Sequence, residues 1–257
     1  MTLAPVRADL DGRVEIAVAA DGTYPTLHSS GALAARATID GVWLVGASAH
    51  PIGGDRLAVA MDVGAEAFLS VHSASATLAR GSDPPRPSRM DITATVGPGG
   101  TLHWAPAPGI AANGSRHAAD AVVGLHPTAA LYWKDTIVLG RAGERGGSWS
   151  SRLRVEVAGR PLVVGELALG EAFAGWASPA VLAGARCVQS IVVVEPARRA
   201  PGPRTHAASG VLLPLSECAV QLTTWGASVS ECCAVRRALA DDAGLRAWAG
   251  GVLDSDD

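Results

Sequence analysis

The stretch Leu57-Ala58-Val59-Ala60-Met61-Asp62-Val63 alternates its larger apolar side chains with small or charged ones, so Leu57, Val59, Met61 and Val63 share one parity and Asp62 takes the other. A period of two marks a strand with one buried face, because successive side chains leave the pleat on opposite sides. The pattern recurs in both directions along the chain. Ile92, Ala94 and Val96 repeat it, and so do Leu153, Val155 and Val157, whose alternates Arg152, Arg154 and Glu156 are set for water. Further strands are expected at residues 14–19, 33–39, 43–45, 68–73, 132–139, 162–169, 188–194 and 220–224. Asp21-Gly22, Asp40-Gly41, Gly97-Pro98-Gly99-Gly100 and Ala158-Gly159 separate them with turn chemistry. Short strands at regular spacing make the chain mainly β, and the turns predict antiparallel connections.

The C-terminal stretch is different. Residues 230–250 contain no proline, and Val235, Leu239, Leu245 and Trp248 recur at near-helical intervals, with Arg236, Arg237, Asp241 and Asp242 as the polar face. The spacing predicts one amphipathic helix, loosened at Gly244 and ended at Gly250-Gly251. Prolines in residues 83–88 and 196–204 predict two exposed loops. The acidic tail Asp254, Asp256 and Asp257 reads as a solvated end.

Composition narrows the function classes. Of the 257 residues 48% are hydrophobic but only 4% aromatic, so the core is expected to be packed with Ala, Val and Leu rather than with rings. The 21 basic side chains, of which only Lys134 is lysine, are outnumbered by 24 acidic ones, for a net charge of −3. A nucleic-acid binder needs a basic excess or stripe, and the chain has neither. Its longest uncharged run, residues 92–115, is broken by Pro98, Pro106 and Pro108, which argues against a membrane-spanning helix. Asp9, Asp11 and Glu15 stand where a signal peptide would need a basic start, so a cytoplasmic location is expected. Cys187, Cys218, Cys232 and Cys233 are too sparse for a disulfide scaffold and are read as reduced, buried thiols.

Catalytic templates fail. There is no Gly-x-Ser-x-Gly elbow, no phosphate-binding Gly-x-x-x-x-Gly-Lys loop, no His-Glu-x-x-His and no Cys-x-x-Cys. His28, His50, His72, His103, His117, His126 and His206 are dispersed without ligand spacing and read as surface or structural histidines. One local motif remains. In His50-Pro51-Ile52-Gly53-Gly54-Asp55-Arg56-Leu57, two glycines and an aspartate stand directly ahead of a strand, where glycine permits positive φ and lets another backbone come close.

With Trp43-Leu44-Val45 before it and the residue 57–63 strand after it, this block resembles the Pro-x-Gly-Gly-x-x-Gly-Gly-Asp-x-Leu block of the urease accessory protein family UreD, called UreH in some bacteria. The likeness continues in order over roughly residues 40–170. Residues 68–80 resemble the family's strand and Thr/Ser-rich segment ending in arginine, here Arg80. Leu102-His103-Trp104-Ala105-Pro106 is similar to its Leu-x-Trp-x-Pro block, with Ile110 as the following aliphatic residue. Asp135 stands ahead of Leu139-Gly140-Arg141 as the family's acidic residue does before Gly-Arg, and Gly143-Glu144 and Gly159-Arg160-Pro161-Leu162 follow. The chain departs from the pattern at Ala49-His50, where the first Gly-Gly is missing, and at Thr77 and Ala79, where the family has Lys-x-Tyr. The acidic residue expected at Gly165 comes one place late, as Glu166.

The resemblance implies a single domain over residues 1–257, a stacked, β-helix-like scaffold of strands closed by the helical segment 230–250. It implies a non-catalytic urease maturation factor that binds the urease apoprotein, recruits UreF and the GTPase UreG, and helps guide nickel to the urease active site. No tightly bound cofactor is implied; nickel would be cargo in transit. A transit path needs weak, exchangeable ligands, and isolated carboxylates suit it. Asp55, Asp135 and Glu166 are therefore the candidate metal-contacting residues, while Gly53, Gly54, Trp104, Pro106 and Arg141 are motif residues with structural roles. The competing reading of the two aspartates is that Asp55 caps a turn and Asp135 is paired on the surface. A second class, a cytosolic β-rich protein- or carbohydrate-binding module unrelated to urease, explains the strands but not the ordered blocks.

Overall fold

The computed structural model describes residues 9–20, 25–206 and 209–245. The turn at Asp21-Gly22, Trp248, Gly250-Gly251 and the acidic tail lie outside them. In chain order the strands are β1 (Asp11–Val18), β2 (Thr26–Gly31), β3 (Leu33–Thr38), β4 (Gly41–Gly46), β5 (Arg56–Val63), β6 (Phe68–Ser73), β7 (Thr77–Ala79), β8 (Ser88–Val96) and β9 (Thr101–Trp104). They continue with β10 (Gly109–Ala111), β11 (Arg116–Leu125), β12 (Ala130–Leu139), β13 (Ser148–Val157), β14 (Arg160–Leu169), β15 (Cys187–Val194), β16 (Arg204–His206), β17 (Gly210–Ser216) and β18 (Ala219–Gly226), and helix α1 (Val229–Asp242) follows.

Two sheets face each other. One runs β14-β13-β11-β8-β5-β1-β2 and the other β16-β17-β18-β15-β12-β9-β6-β4-β3. From β4 to β13 the chain crosses between the two sheets, so that successive coils lay β5, β8, β11 and β13 side by side in one and β4, β6, β9 and β12 in the other. This is the stacked, solenoid-like arrangement. It overturns the expected antiparallel connections for the centre of the molecule, where β1 to β13 of the first sheet and β4 to β12 of the second pair in parallel. Asp40-Gly41 and Ala158-Gly159 do return the chain antiparallel to its neighbour, whereas the turn at residues 97–100 carries it from β8 to β9 in the opposite sheet. Antiparallel pairs lie at the ends, in β1·β2, β3·β4, β13·β14 and the β12·β15·β18·β17·β16 extension.

In-register stacking turns the period-two code into columns. Val14, Val59, Ile92, Ala121 and Leu153 are successive partners across the first sheet, as are Val18, Val63, Val96, Leu125 and Val157. Leu102 and Leu131 pair in the sheet opposite, and all but Leu153 and Val157 of these residues are buried. Small and branched side chains fill most of this interior, as expected. Rings enter it too: Trp104 and Trp133 stack with centroids 5.0 Å apart and, with Trp149, are buried.

Helix α1 packs on its own sheet, burying Cys232, Leu239 and Ala240 with Tyr132, Leu212 and Leu222. Ser228 caps it, its hydroxyl accepting from the Glu231 amide at 3.2 Å. The helix ends at Ala243, and Gly244 adopts φ +62°. Arg236, expected on the polar face, is buried instead, because positions 232, 236, 239 and 240 fall on one side of a 3.6-residue period. Cys187 and Cys232 are buried thiols, whereas Cys218 and Cys233 are partly exposed. Among the described residues no helix is long and apolar enough to cross a membrane.

Candidate functional site

The Gly53-Gly54-Asp55 block fastens three segments of chain. Gly53 N–H donates to the Arg80 carbonyl at 3.1 Å, Gly54 N–H to the Pro87 carbonyl at 3.0 Å, and Arg89 N–H to the Asp55 carbonyl at 2.9 Å. A Cβ at Gly53 would collide with the Arg86 carbonyl, and Gly54 has φ +98° beneath the Arg86–Asp9 ion pair, so both positions require glycine. Asp55 is fully buried. Its Oδ1 accepts the Leu10 amide at 2.9 Å and its Oδ2 the Ile52 amide at 2.8 Å. The carboxylate thus ties the entry to β1 onto the start of β5, and it lines neither of the cavities described next.

Asp135 occupies a core-facing position on β12, with Trp133 and Ile137 as its neighbours of the same parity. Facing it across the space between the sheets is Ser151 of β13, whose hydroxyl donates to Asp135 Oδ2. Two cavities meet here. The first, about 110 Å³, is bounded by Leu57, His117, Trp149, Trp104 and Pro106. The second, about 260 Å³, is bounded by Leu153, Val163, Ser190, Gln221 and Glu166. Trp133, Asp135 and Ser151 line both. Enclosure among apolar groups pushes the Asp135 carboxyl above its ordinary range, the Ser151 and Thr136 hydrogen bonds pulling the other way. Asp135 and Glu166 are thereby brought to one cavity, and Asp55 stands apart from them. Glu166 is half-exposed and holds Arg152 at 3.0 Å, the register partner from β13.

Trp104 and Pro106 form part of the first cavity's wall. Arg141 does not reach it. Its exposed guanidinium pairs with Glu144, Nε to Oε1 at 2.8 Å, and this hydrogen bond above all holds the Glu144 carboxyl down at about 2. Arg186 clasps the same loop, donating to the carbonyls of Leu139 and Glu144, each at 2.7 Å.

The sequence reading missed Ser151 and His117. Ser151 was legible in principle, as a polar residue on the inward parity of Leu153 and Val155. His117 lies at the start of β11, where the inward His117, Ala119 and Ala121 carry too little apolar bulk to announce the strand that Val123 and Leu125 complete. It is buried; Ser88 Oγ lies 2.9 Å from its Nδ1, and burial pushes its pKa down to about 4. Among the described residues no three metal-ligating side chains converge on one point. The arrangement sets isolated polar side chains along the seam between the sheets.

The sequence model of the family described as UreD urease accessory protein matches residues 26–254. Among relatives, the Streptomyces griseus protein named urease accessory protein UreD 3 is 40% identical over 86% of this chain and 88% of its own. The urease accessory protein UreD of Streptomyces avermitilis is 38% identical over 87% and 92%, and that of Frankia alni 38% over 83% and 79%. With its family blocks placed along one stacked β scaffold, the chain belongs to the UreD urease accessory protein family.

Proposed function

We propose that the protein is a non-catalytic urease maturation factor that binds the urease apoprotein, recruits UreF and the GTPase UreG, and passes nickel through its own interior. Family membership supports a role in urease maturation. The observation that carries the transit reading is Asp135, an ionisable side chain in the wall shared by two cavities between the sheets. A carboxylate drawn into the wall costs free energy unless a cation or hydrogen bonds compensate it, and the Ser151 hydroxyl and Thr136 amide compensate only in part. Such a group binds a divalent ion transiently and releases it. Glu166 at the far rim is the second station, and Asp55 holds the fold that forms the wall.

Co-expression with the urease subunits and the other accessory proteins tests both halves of this reading. The chain is expected to co-purify with them and to support nickel-dependent urease activation. Asp135→Ala is expected to keep the complex and lower activation at least about tenfold, the scale of losing a metal-site residue. Unchanged activation by a folded Asp135→Ala protein would exclude the transit path.

A further inference from the structure

Ile39 is 97% exposed and Phe68 61%, although both are residue types that normally bury. They stand together. The β4·β6 register, Val42 with Val71 and Trp43 with His72, sets Ile39 level with Phe68 when carried back to the turn before β4. Both border one open groove of about 640 Å³, which the buried Val18, Val42 and Leu69 also line.

The turn that carries Ile39 is tied down. Thr38 Oγ1 donates to the Gly41 carbonyl at 3.1 Å and accepts the Asp40 amide at 3.2 Å and the Trp43 indole N–H at 3.1 Å. Trp43 is itself stacked on His72, with ring centroids 4.9 Å apart. Ile39 is therefore presented in one geometry, and a partner that meets it does not have to order it first.

The charges around the groove depart from those on the rest of the surface. On the strands, Glu15, Asp91, Asp120, Glu156 and Glu166 each hold an arginine. The two charged residues of the groove are Asp40 and Glu66, and Asp62, near the end of the strand that leads to Glu66, lines the adjoining groove. Among the described residues none of these three has a basic partner. Apolar anchors beside unmatched carboxylates are complementary to an apolar side chain with basic neighbours.

We propose that Ile39 and Phe68 anchor a protein partner in this groove, and that the segment it brings carries an apolar side chain flanked by arginine or lysine. That the partner belongs to the urease maturation complex rests on the reading above; the place of the groove and its preference for a basic segment do not.

The test has two arms. In the first, the full-length protein, ¹³C-labelled at its isoleucine methyls, is titrated with the capped peptide Arg-Leu-Phe-Leu-Arg and, in a parallel sample, with Glu-Leu-Phe-Leu-Glu. The basic peptide is expected to shift the Ile39 methyl and leave those of the buried Ile92 and Ile191 in place, more weakly as salt rises. Asp40→Asn with Glu66→Gln should abolish the preference for the basic peptide. An Ile39 methyl moved by neither peptide, or by both alike, would overturn the proposal. In the second arm, Ile39→Asp is co-expressed with the urease subunits and the other accessory proteins. With an unchanged urea midpoint, it is expected to recover at least about tenfold less of one partner than the original chain does. Full recovery of every partner by the folded variant would also overturn the proposal. The two readings fail separately. An original chain that co-purifies with no urease component, yet whose Ile39 methyl follows the basic peptide alone, would keep the docking groove and lose the maturation role. Full recovery and activation by Ile39→Asp would keep the maturation role and lose the groove.

Discussion

The interior has two ends that are built alike and filled differently. Toward the C-terminal ends of β5, β8 and β11, the columns are Val63, Val96 and Leu125, facing Leu69, Leu102 and Leu131. Toward the N-terminal ends of the same strands, the columns become Leu57, Met90, Ala119 and Ser151, then Ser88, His117 and Trp149, and Asp135 faces them from β12. Parallel, in-register stacking forces this choice, since whatever stands at one position recurs beside its counterpart on the next coil. An apolar column reinforces itself rung by rung. A polar column leaves a seam, and the cavities lie along it.

The comparison predicts unequal costs for equal truncations. Leu102→Ala, in the apolar end, is expected to destabilise the protein by about 4 kcal/mol, because the emptied volume is enclosed on all sides and cannot collapse. Leu57→Ala, beside the first cavity, is expected to cost about 2 kcal/mol, because its side chain already borders open space. Urea denaturation of both variants decides the matter, and equal losses would mean that the two ends are packed alike.

Asp55→Ala comes next, at about 3 kcal/mol. The substitution leaves two backbone amides without the charged acceptor that holds them, and so loosens β1 from β5. The expected signature is a lower urea midpoint. A variant as stable as the original, but unable to activate urease, would move Asp55 from the frame to the path.

How much of this was legible follows the same division. Alternation announces a strand only where the inward residues are bulky, as in Leu57, Val59, Met61 and Val63. In β11 the inward His117, Ala119 and Ala121 gave no such contrast, and the strand with the most informative histidine went unread. Asp135 stood out through its place before Gly140-Arg141, but that it faces the core depends on the parity of β12. Ser151 enters the site only because β13 lies opposite, which no local pattern states. The parallel pairing was illegible for a related reason. A Gly-rich turn gives the place where a strand ends and not the sheet to which the chain goes next.

His117 makes the polar end pH-dependent in a way the apolar end is not. Its pKa is depressed from 6.5 to about 4, so the unfolded chain takes up a proton before the folded one does. The stability it contributes is complete above pH 6.5 and is lost as the pH falls toward 4, by at most about 3 kcal/mol. His117→Gln is expected to flatten that part of the stability curve, measured by denaturation at a series of pH values. Asp135 has the opposite sign. Its carboxyl is raised, so its contribution is present below 3.8 and lost as the pH climbs through the raised value. Asp135→Asn should therefore make the protein less sensitive to rising pH, and a steeper loss would mean that the carboxylate is well compensated in the wall.

The smallest effect belongs outside both ends. Arg141 and Glu144 hold each other across an exposed loop, and the depressed Glu144 carboxyl reports a close contact rather than a buried charge. Water screens such a pair, and holding two long side chains in one geometry costs entropy that offsets the attraction. The loop has a second fastening, since Arg186 donates to the carbonyls of Leu139, Arg141 and Glu144. Arg141→Ala is therefore expected to leave the urea midpoint where it was, with salt making no difference between variant and original. Arg186→Ala, which frees three carbonyls, should lower it. If Arg141→Ala instead failed to activate urease while staying as stable as the original, its exposed guanidinium would belong to a contact with another protein, and this family motif would be a docking residue on a loop that the interior does not need.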